Sequence, residues 1–383
     1  MPRLPGRVLP ALLAALLLMA PAAQAAEPET DAAAALLYEP ESGTVLYAKN
    51  ETEARPIASV TKLLTALVVL DRCSPEEEVT VTAAEAATEG SSMDLAAGET
   101  LTVRELLYGL LLASGNDAAS ALARHAAGSE AAFAELMNEK AAALGLTGSR
   151  FTNPHGLDAE GHYSTALDLA RLAAACRESP LLMLLASTSE ARVGSRTLKN
   201  HNKLLGLCPG CLGLKTGYTS RAGRTLVSLC EREGTRLICV TLSDPEDWED
   251  HRALYDWGFA QLRTVTAAGP AGPFYELPLQ SGLAETVTVR PGAELRLPLS
   301  PGEELTLLPE LPDFVYAPLR AGQRLGSLTV LRDGEAVARL PLICAADAPA
   351  DPKEALSFWE QLRRAWYEAQ KYTAPNYGRA AVG

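Results

Sequence analysis

Apolar positions along the chain recur first with the period of strands and then with that of helices. Ala34-Ala35-Leu36-Leu37-Tyr38 and Thr44-Val45-Leu46-Tyr47 are short apolar runs separated by Glu41-Ser42-Gly43, which predicts a β-hairpin. Pro56 resets the backbone. From Ser59 to Leu70 the apolar residues fall at 60, 63, 64, 67 and 70, the spacing of one helix face. Residues 83–145 keep a mostly helical texture. Thr102 followed by Glu105 reads as an N-cap, and Leu106, Leu107, Leu110, Leu111 and Leu112 make the next helix apolar nearly all round, so it is expected to be buried. A Gly/Pro/Asn loop spans 145–164, and a helix follows over 166–176. Thr225–Cys230 and Arg236–Leu242 read as strands joined at Glu233-Gly234, and a helix covers about 248–262. Hairpins flanking a run of helices predict an α+β fold, an antiparallel sheet packed with helices.

Near residue 265 the texture changes. Proline and glycine recur, and short alternating runs such as Glu285-Thr286-Val287-Thr288-Val289 and Ser327-Leu328-Thr329-Val330-Leu331 replace the long helical ones. Asp333-Gly334 is a hairpin signal. The segment 263–347 is therefore expected to be a small all-β domain after a catalytic domain over 26–262. A tail over 348–383 holds one amphipathic helix, at 353–371, with Leu356, Trp359, Leu362 and Trp366 at helical spacing. That helix is expected either to touch a membrane surface peripherally or to dock on the β domain.

Composition narrows the picture. The net charge of −13 argues against nucleic-acid binding, which needs a basic face. Arg3 and Arg7, the apolar run Leu12–Ala20 and Ala23-Gln24-Ala25 have the order of a secretory signal, expected to occupy 1–25. The run is short for a spanning helix, which needs about 20 apolar residues. The seven cysteines are too sparse for a disulfide framework. One close pair, Cys208-Pro209-Gly210-Cys211, carries the residues of a type II turn, which brings its ends near the separation a disulfide tolerates. A Cys208–Cys211 disulfide is the expectation; a redox-active pair and two free thiols are its rivals.

Three motifs carry chemistry: Ser59-Val60-Thr61-Lys62 (S-x-x-K), Ser114-Gly115-Asn116 (S-x-N) and Lys215-Thr216-Gly217 (K-T-G). Each is common alone. In this order they form the set of penicillin-binding proteins and class A β-lactamases. Ser59 opening a helix places its hydroxyl near the positive end of the dipole, and Lys62 follows on the same face. A serine is a poor nucleophile until a base takes its proton, and lysine is that base only when neutral. Burial and a second cation, Lys215, both favour the neutral form. Ser114 is placed to relay a proton to the leaving amine, and Asn116 to hold Lys62 and the substrate amide. The backbone N–H groups of Ser59 and Tyr218 are the candidate oxyanion hole. Thr216, Gly217 and Tyr218 complete the expected substrate-binding strand.

At these residues the chain resembles the D-alanyl-D-alanine carboxypeptidases among the low-molecular-mass penicillin-binding proteins. The likeness extends through Ile57–Ala66, Ser91-Ser92-Met93, Gly98–Thr102, Asn116–Ala119, Asn153-Pro154-His155-Gly156-Leu157-Asp158, His162–Ala166 and Gly213–Thr219. The resemblance implies a β-lactamase/transpeptidase-like domain, Ser59 as acylated nucleophile, Lys62 as base, and Ser114, Asn116 and Lys215 as catalytic partners. It implies peptidoglycan stem peptides as substrate, β-lactams as covalent inhibitors, an extracytoplasmic site of action and no cofactor. His155 and His162 flank an Asp-bearing loop; scaffolding rather than metal binding is expected of them.

Three other activities share parts of this pattern. A class A β-lactamase shares the trio, but no E-x-x-x-N pattern follows Ser114 where its deacylating base would sit. A non-catalytic wall-binding protein on the same fold would not need all five reactive side chains. An endopeptidase or transpeptidase would use the same acyl-enzyme.

Overall fold

The computed structural model describes residues 26–299, 303–351, 359, 361–363 and 365–366. The expected signal segment and most of the tail helix lie outside the described residues. The first hairpin pairs β1 (Ala34–Glu39) with β2 (Thr44–Lys49). A 3-10 turn, Ala58–Thr61, runs into α1 (Lys62–Arg72). Then come α2 (Val103–Leu111), α3 (Asn116–Ala127), α4 (Glu130–Ala143) and α5 (Ala166–Arg177). Three long strands follow, β3 (Cys211–Thr219), β4 (Gly223–Arg232) and β5 (Thr235–Leu242), and then α6 (Asp247–Gln261).

These strands form one antiparallel sheet in the order β2-β1-β5-β4-β3. The chain thus closes its sheet by laying β5, from residue 235 on, against β1, and leaves β3 as an edge. Each boundary has a local cause. Thr102 and Glu105 form a reciprocal capping box at the start of α2. Glu233 and Gly234 both take positive φ, 51° and 78°, the geometry of a two-residue hairpin turn. Leu106, Leu107, Leu110, Leu111 and Leu112 are buried, as an all-round apolar helix must be. They join α1, α3 and α5 in the main core on one face of the sheet, while Leu254 and Tyr255 of α6 pack on the other with Leu37, Leu226 and Leu237.

The described residues between 263 and 344 form an all-β region. Arg263–Ala268 pairs with Leu295–Leu299. A six-stranded sheet holds β6 (Tyr275–Gln280), β7 (Thr286–Pro291), β8 (Leu305–Glu310), β9 (Val315–Tyr316), β10 (Arg324–Arg332) and β11 (Glu335–Cys344), in the order β8-β10-β11-β7-β6-β9. It buries its own cluster around Val289, Leu328, Val330 and Leu342. In the tail, residues 359, 361–363 and 365–366 are helical, and Trp359, Leu362 and Trp366 are exposed.

Two expectations change. Ser59 does not open the α-helix itself but sits in the preceding 3-10 turn. The Cys208–Cys211 disulfide is not formed, and all seven cysteines are free. The turn is present: the Cys211 N–H donates to the Cys208 carbonyl at 3.1 Å, and Gly210 has φ +86°. Cys211, however, already belongs to β3, and its thiol turns to the Gly213 carbonyl at 3.3 Å.

Candidate active site

The 3-10 turn that carries Ser59 is entered through Ala58, a buried residue at φ +49°. A side chain in that left-handed region is strained and persists only where its surroundings impose it. Those surroundings are specific. Thr61 Oγ1 donates back to the Ala58 carbonyl at 2.8 Å, and Thr225 Oγ1 of β4 donates to the Ile57 carbonyl at 3.2 Å. Gly156 (φ +87°) lies directly over the turn; a Cβ there would stand 2.0 Å from the Ala58 oxygen, so only glycine lets the 153–157 loop close.

Lys62 is fully buried, and its Nζ has three neighbours: Ser59 Oγ at 2.9 Å, Asn116 Oδ1 at 2.7 Å and the His155 carbonyl oxygen at 2.6 Å. Two of these only accept. A neutral amine gives its two N–H groups to the carbonyl oxygens and turns its lone pair on the one partner able to donate, the Ser59 hydroxyl. Burial, and then the charge of Lys215, hold the Lys62 ammonium well below its ordinary range, opposed by the carboxylate of Asp117.

Asn116 opens α3 after a turn in which buried Ser114 takes φ +58°. Its Nδ2 donates to the Glu89 carbonyl at 2.7 Å, which fixes Oδ1 toward Lys62. Gly90 permits this approach, since a Cβ there would lie 2.6 Å from that nitrogen. Next along, Asp117 is buried and accepts from Ser92 Oγ at 2.6 Å and from the Met93 and Leu95 N–H groups at 3.1 Å. Its carboxylate thereby ties the 92–95 segment to the start of α3.

The third wall is the edge strand β3, where Lys215, Thr216 and Gly217 lie opposite Val227, Leu226 and Thr225. Lys215 is buried, and its Nζ donates to the Thr216 carbonyl at 2.9 Å. Burial lowers its pKa to about 7. A Cβ at Gly217 would stand 2.4 Å from Thr225 Oγ1 and 2.9 Å from the Ser59 amide nitrogen, so β3 passes against the nucleophile's own backbone. Tyr218, next along, is 68% exposed.

The sequence motifs therefore converge: Ser59, Lys62 and Asn116 share hydrogen bonds, and the K-T-G strand closes on them. Ser114 joins by position in the turn before Asn116. Sequence reasoning assigned no role to the His155 carbonyl, the Glu89 carbonyl or Asp117. The first two are main-chain oxygens, which no residue type advertises, although Asn153-Pro154-His155-Gly156 marked the first loop. His162 is scaffold: Nδ1 accepts from the Thr152 N–H at 3.1 Å, Nε2 meets Thr61 Oγ1 at 2.8 Å, and burial, then His155, lowers its pKa to about 4. Among the described residues, Cys73, Glu77 and His125 bring donor atoms within 4.8 Å of one another, the one such group suited to a metal. It sits past the far end of α1, roughly 16 Å from Lys62 at 1.5 Å per helical residue.

A buried lysine positioned on a serine by an asparagine, beside a lysine-bearing sheet edge, defines a serine hydrolase working through an acyl-enzyme. The D-alanyl-D-alanine carboxypeptidase family matches residues 21–246, and the chain belongs to that family. It is 32% identical over 343 residues to the D-alanyl-D-alanine carboxypeptidase DacF of Bacillus subtilis, covering 83% of this chain and 86% of the relative. It is 36% identical over 360 residues to DacC of Escherichia coli, covering 86% and 88%. Penicillin binding protein 5 of Haemophilus influenzae superposes with a TM-score of 0.65 at 29% identity, over 85% of this chain and 99% of that one.

Proposed function

We propose that this chain removes the terminal D-alanine from peptidoglycan stem peptides through an ester on Ser59, and that β-lactams trap the same serine. The observation that carries the reading is the set of partners around Lys62 Nζ, which leaves a neutral amine only the Ser59 hydroxyl to accept from. Ser59 Oγ attacks the carbonyl of the penultimate D-alanine as Lys62 takes its proton. The N–H groups of Ser59 and Tyr218 receive the developing oxyanion, a reading supported by the approach of Gly217, the neighbour of Tyr218, to the Ser59 amide nitrogen. Ser114 passes the proton to the departing amine, the C–N bond breaks and D-alanine leaves. Water, deprotonated by the same lysine, then cleaves the ester and restores Ser59. Lys215 supplies positive charge to the substrate's terminal carboxylate, with Thr216 and Gly217 lining the strand.

The test is digestion of a defined stem pentapeptide, with the products weighed. Loss of one alanine from the carboxyl end, together with labelling of Ser59 by a fluorescent penicillin, is expected. An intact pentapeptide from labelled enzyme would reject the carboxypeptidase reading, and rapid turnover of penicillin would replace it with a β-lactamase.

The division into catalytic and β-rich parts belongs to the same proposal: among the described residues no sheet is shared between those up to 262 and those from 263 on. So does placement outside the cytoplasmic membrane, which the order of charged, apolar and small residues at the N-terminus supports. Among the described residues no helix is long and apolar enough to cross a membrane. Peripheral contact through 353–371 draws support from exposed Trp359, Leu362 and Trp366, and co-sedimentation with vesicles, with and without residues 350–383, tests it.

A further inference from the structure

The Cys208-Pro209-Gly210-Cys211 turn plays no part in the acyl-transfer chemistry, yet it is built tightly against the sheet. The Glu231 N–H donates to the Gly210 carbonyl at 2.9 Å, and Cys230 Sγ donates to the Pro209 carbonyl at 3.4 Å. A Cβ on Gly210 would stand 2.2 Å from the Glu231 oxygen, so the turn lies flat on the end of β4. This seating sends the Cys208 side chain across to β4. Its sulfur and that of Cys230 meet one oxygen, lying 4.0 Å and 3.4 Å from the Pro209 carbonyl, while the Cys211 thiol turns away to the Gly213 carbonyl. Cys208 and Cys230 are both buried, with Leu204, Leu226 and Leu237 around them. Arg232 covers the pair from outside: Nη2 lies 3.7 Å from Cys208 Sγ, Nε donates to the Pro209 carbonyl at 3.4 Å, and Nη1 pairs with Asp256 at 2.7 Å.

We propose that Cys208 and Cys230 are the cross-linking cysteines of this protein and are joined as a disulfide in the mature chain. The two have unequal roles. The neighbouring Cys230 side chain, helped by the Arg232 guanidinium and opposed by burial, lowers the Cys208 pKa to about 6, and the nearness of Cys208, with burial, pushes Cys230 up. Cys208 is the attacking thiolate and Cys230 the resolving thiol. Cys208 attacks the disulfide of an extracytoplasmic thiol oxidant and expels one of its sulfurs as thiolate. Cys230, giving up its proton, then attacks the Cys208 sulfur and expels the second. Two thiols lose two protons and two electrons, and the oxidant's disulfide becomes a dithiol. The inference goes beyond the carboxypeptidase reading and shares with it only the extracytoplasmic placement, where such oxidants act.

The bond would do something particular. β3 is the edge of the sheet, and β4 is its one strand partner among the described residues. Its register with β4 begins at Cys211 opposite Cys230, so the open end of the β3–β4 hairpin lies where Cys208 meets Cys230. A bond between these residues closes a ring of about 20 residues, within the range where cross-linking constrains the unfolded chain. That ring contains Lys215, Thr216, Gly217 and Tyr218. The strand that binds substrate would then be tied at the end its hairpin turn does not reach.

The test uses the full mature chain, refolded from reduced protein in a glutathione and glutathione disulfide buffer, alkylated after denaturation and mapped by mass spectrometry. A peptide pair linked through Cys208 and Cys230, with Cys211 alkylated, is expected. Cys211→Ser should keep the link, whereas Cys230→Ser should abolish it. Reduction should lower the melting temperature of the wild type by several degrees and leave that of Cys230→Ser unchanged. Free thiols at both 208 and 230 after refolding, or a Cys208–Cys211 link in the wild type, overturn the proposal. Fluorescent penicillin is scored on the same samples: labelled Ser59 with free thiols rejects the cross-link alone, and a linked but unlabelled protein rejects the acyl-enzyme alone.

Discussion

Gly217 and Ser59 come so close that one methyl group on the glycine would stand 2.9 Å from the serine's amide nitrogen. The contact joins an edge strand to a strained turn. Gly217→Ala is expected to push β3 outward by a fraction of an ångström. Misplacement on that scale at an acyl-transfer site can cost on the order of 100-fold in rate. The melting temperature should move little, because the displaced strand is an edge. Acylation rates with a chromogenic β-lactam measure the first effect and calorimetry the second; an unchanged acylation rate would show that the approach has no role in the chemistry.

Ser59→Ala should abolish both peptide cleavage and penicillin labelling, since among the described residues Ser59 supplies the one hydroxyl hydrogen-bonded to Lys62 Nζ. Lys62→Ala should be nearly as severe, by about 10²–10⁴ in rate, the range of a lost general base. Intact-mass measurement after exposure to penicillin checks both variants, and a covalent adduct on Ser59→Ala would move the nucleophile elsewhere.

The lysines predict a pH profile. Lys62 acts only when neutral, so kcat/KM should rise with pH along an acid limb whose midpoint lies below the usual lysine value of 10.5. Lys215 works only when charged, and with its pKa near 7 it loses that charge above neutrality. Peptides with a free carboxylate should therefore show a bell, and amidated peptides the rising limb alone. Lys215→Ala should likewise harm free-acid peptides more than amidated ones. Steady-state kinetics on the two peptide series across pH checks this, and matching profiles would leave Lys215 a purely electrostatic role.

The same shift links to stability. Lys215 has a lower pKa folded, about 7, than unfolded, 10.5. Between these values the unfolded chain binds a proton that the native chain has released, so stability should rise with pH across that window. Lys215→Met removes the group and should flatten the rise, measured as the denaturant midpoint at pH 6.5 and 9.5.

Much of this was legible in the chain because the decisive signals were local. The capping box at Thr102 and Glu105, the Glu233-Gly234 turn and the all-apolar face of α2 each depend on a few neighbouring residues, and each appears where the sequence placed it. The three motifs were legible for the same reason. What was hidden involved main-chain atoms or residues far apart. The carbonyl oxygens of Glu89 and His155 carry no residue signature, and the role of Asp117 depends on where the 92–95 segment runs. The cysteines show the limit most plainly. Spacing along the chain paired Cys208 with Cys211, whereas the sheet register sets Cys230 opposite Cys211, and the sulfurs of Cys208 and Cys230 both approach the Pro209 carbonyl.

The partners of Lys62 come from residues 59, 116 and 155, so the amine is surrounded only when segments about 50 and 90 positions away have both closed on α1. Loop closure of that length is slow to be rewarded during folding, because its entropy is lost before its contacts form. A helix α1 formed early would hold an ordinary, protonated lysine and an inert serine. Reactivity toward penicillin should therefore appear late in refolding, in step with the final tertiary closure rather than with helical content. A β-lactam added at timed intervals would act as a clock, marking each molecule at the moment its last long-range contact falls into place.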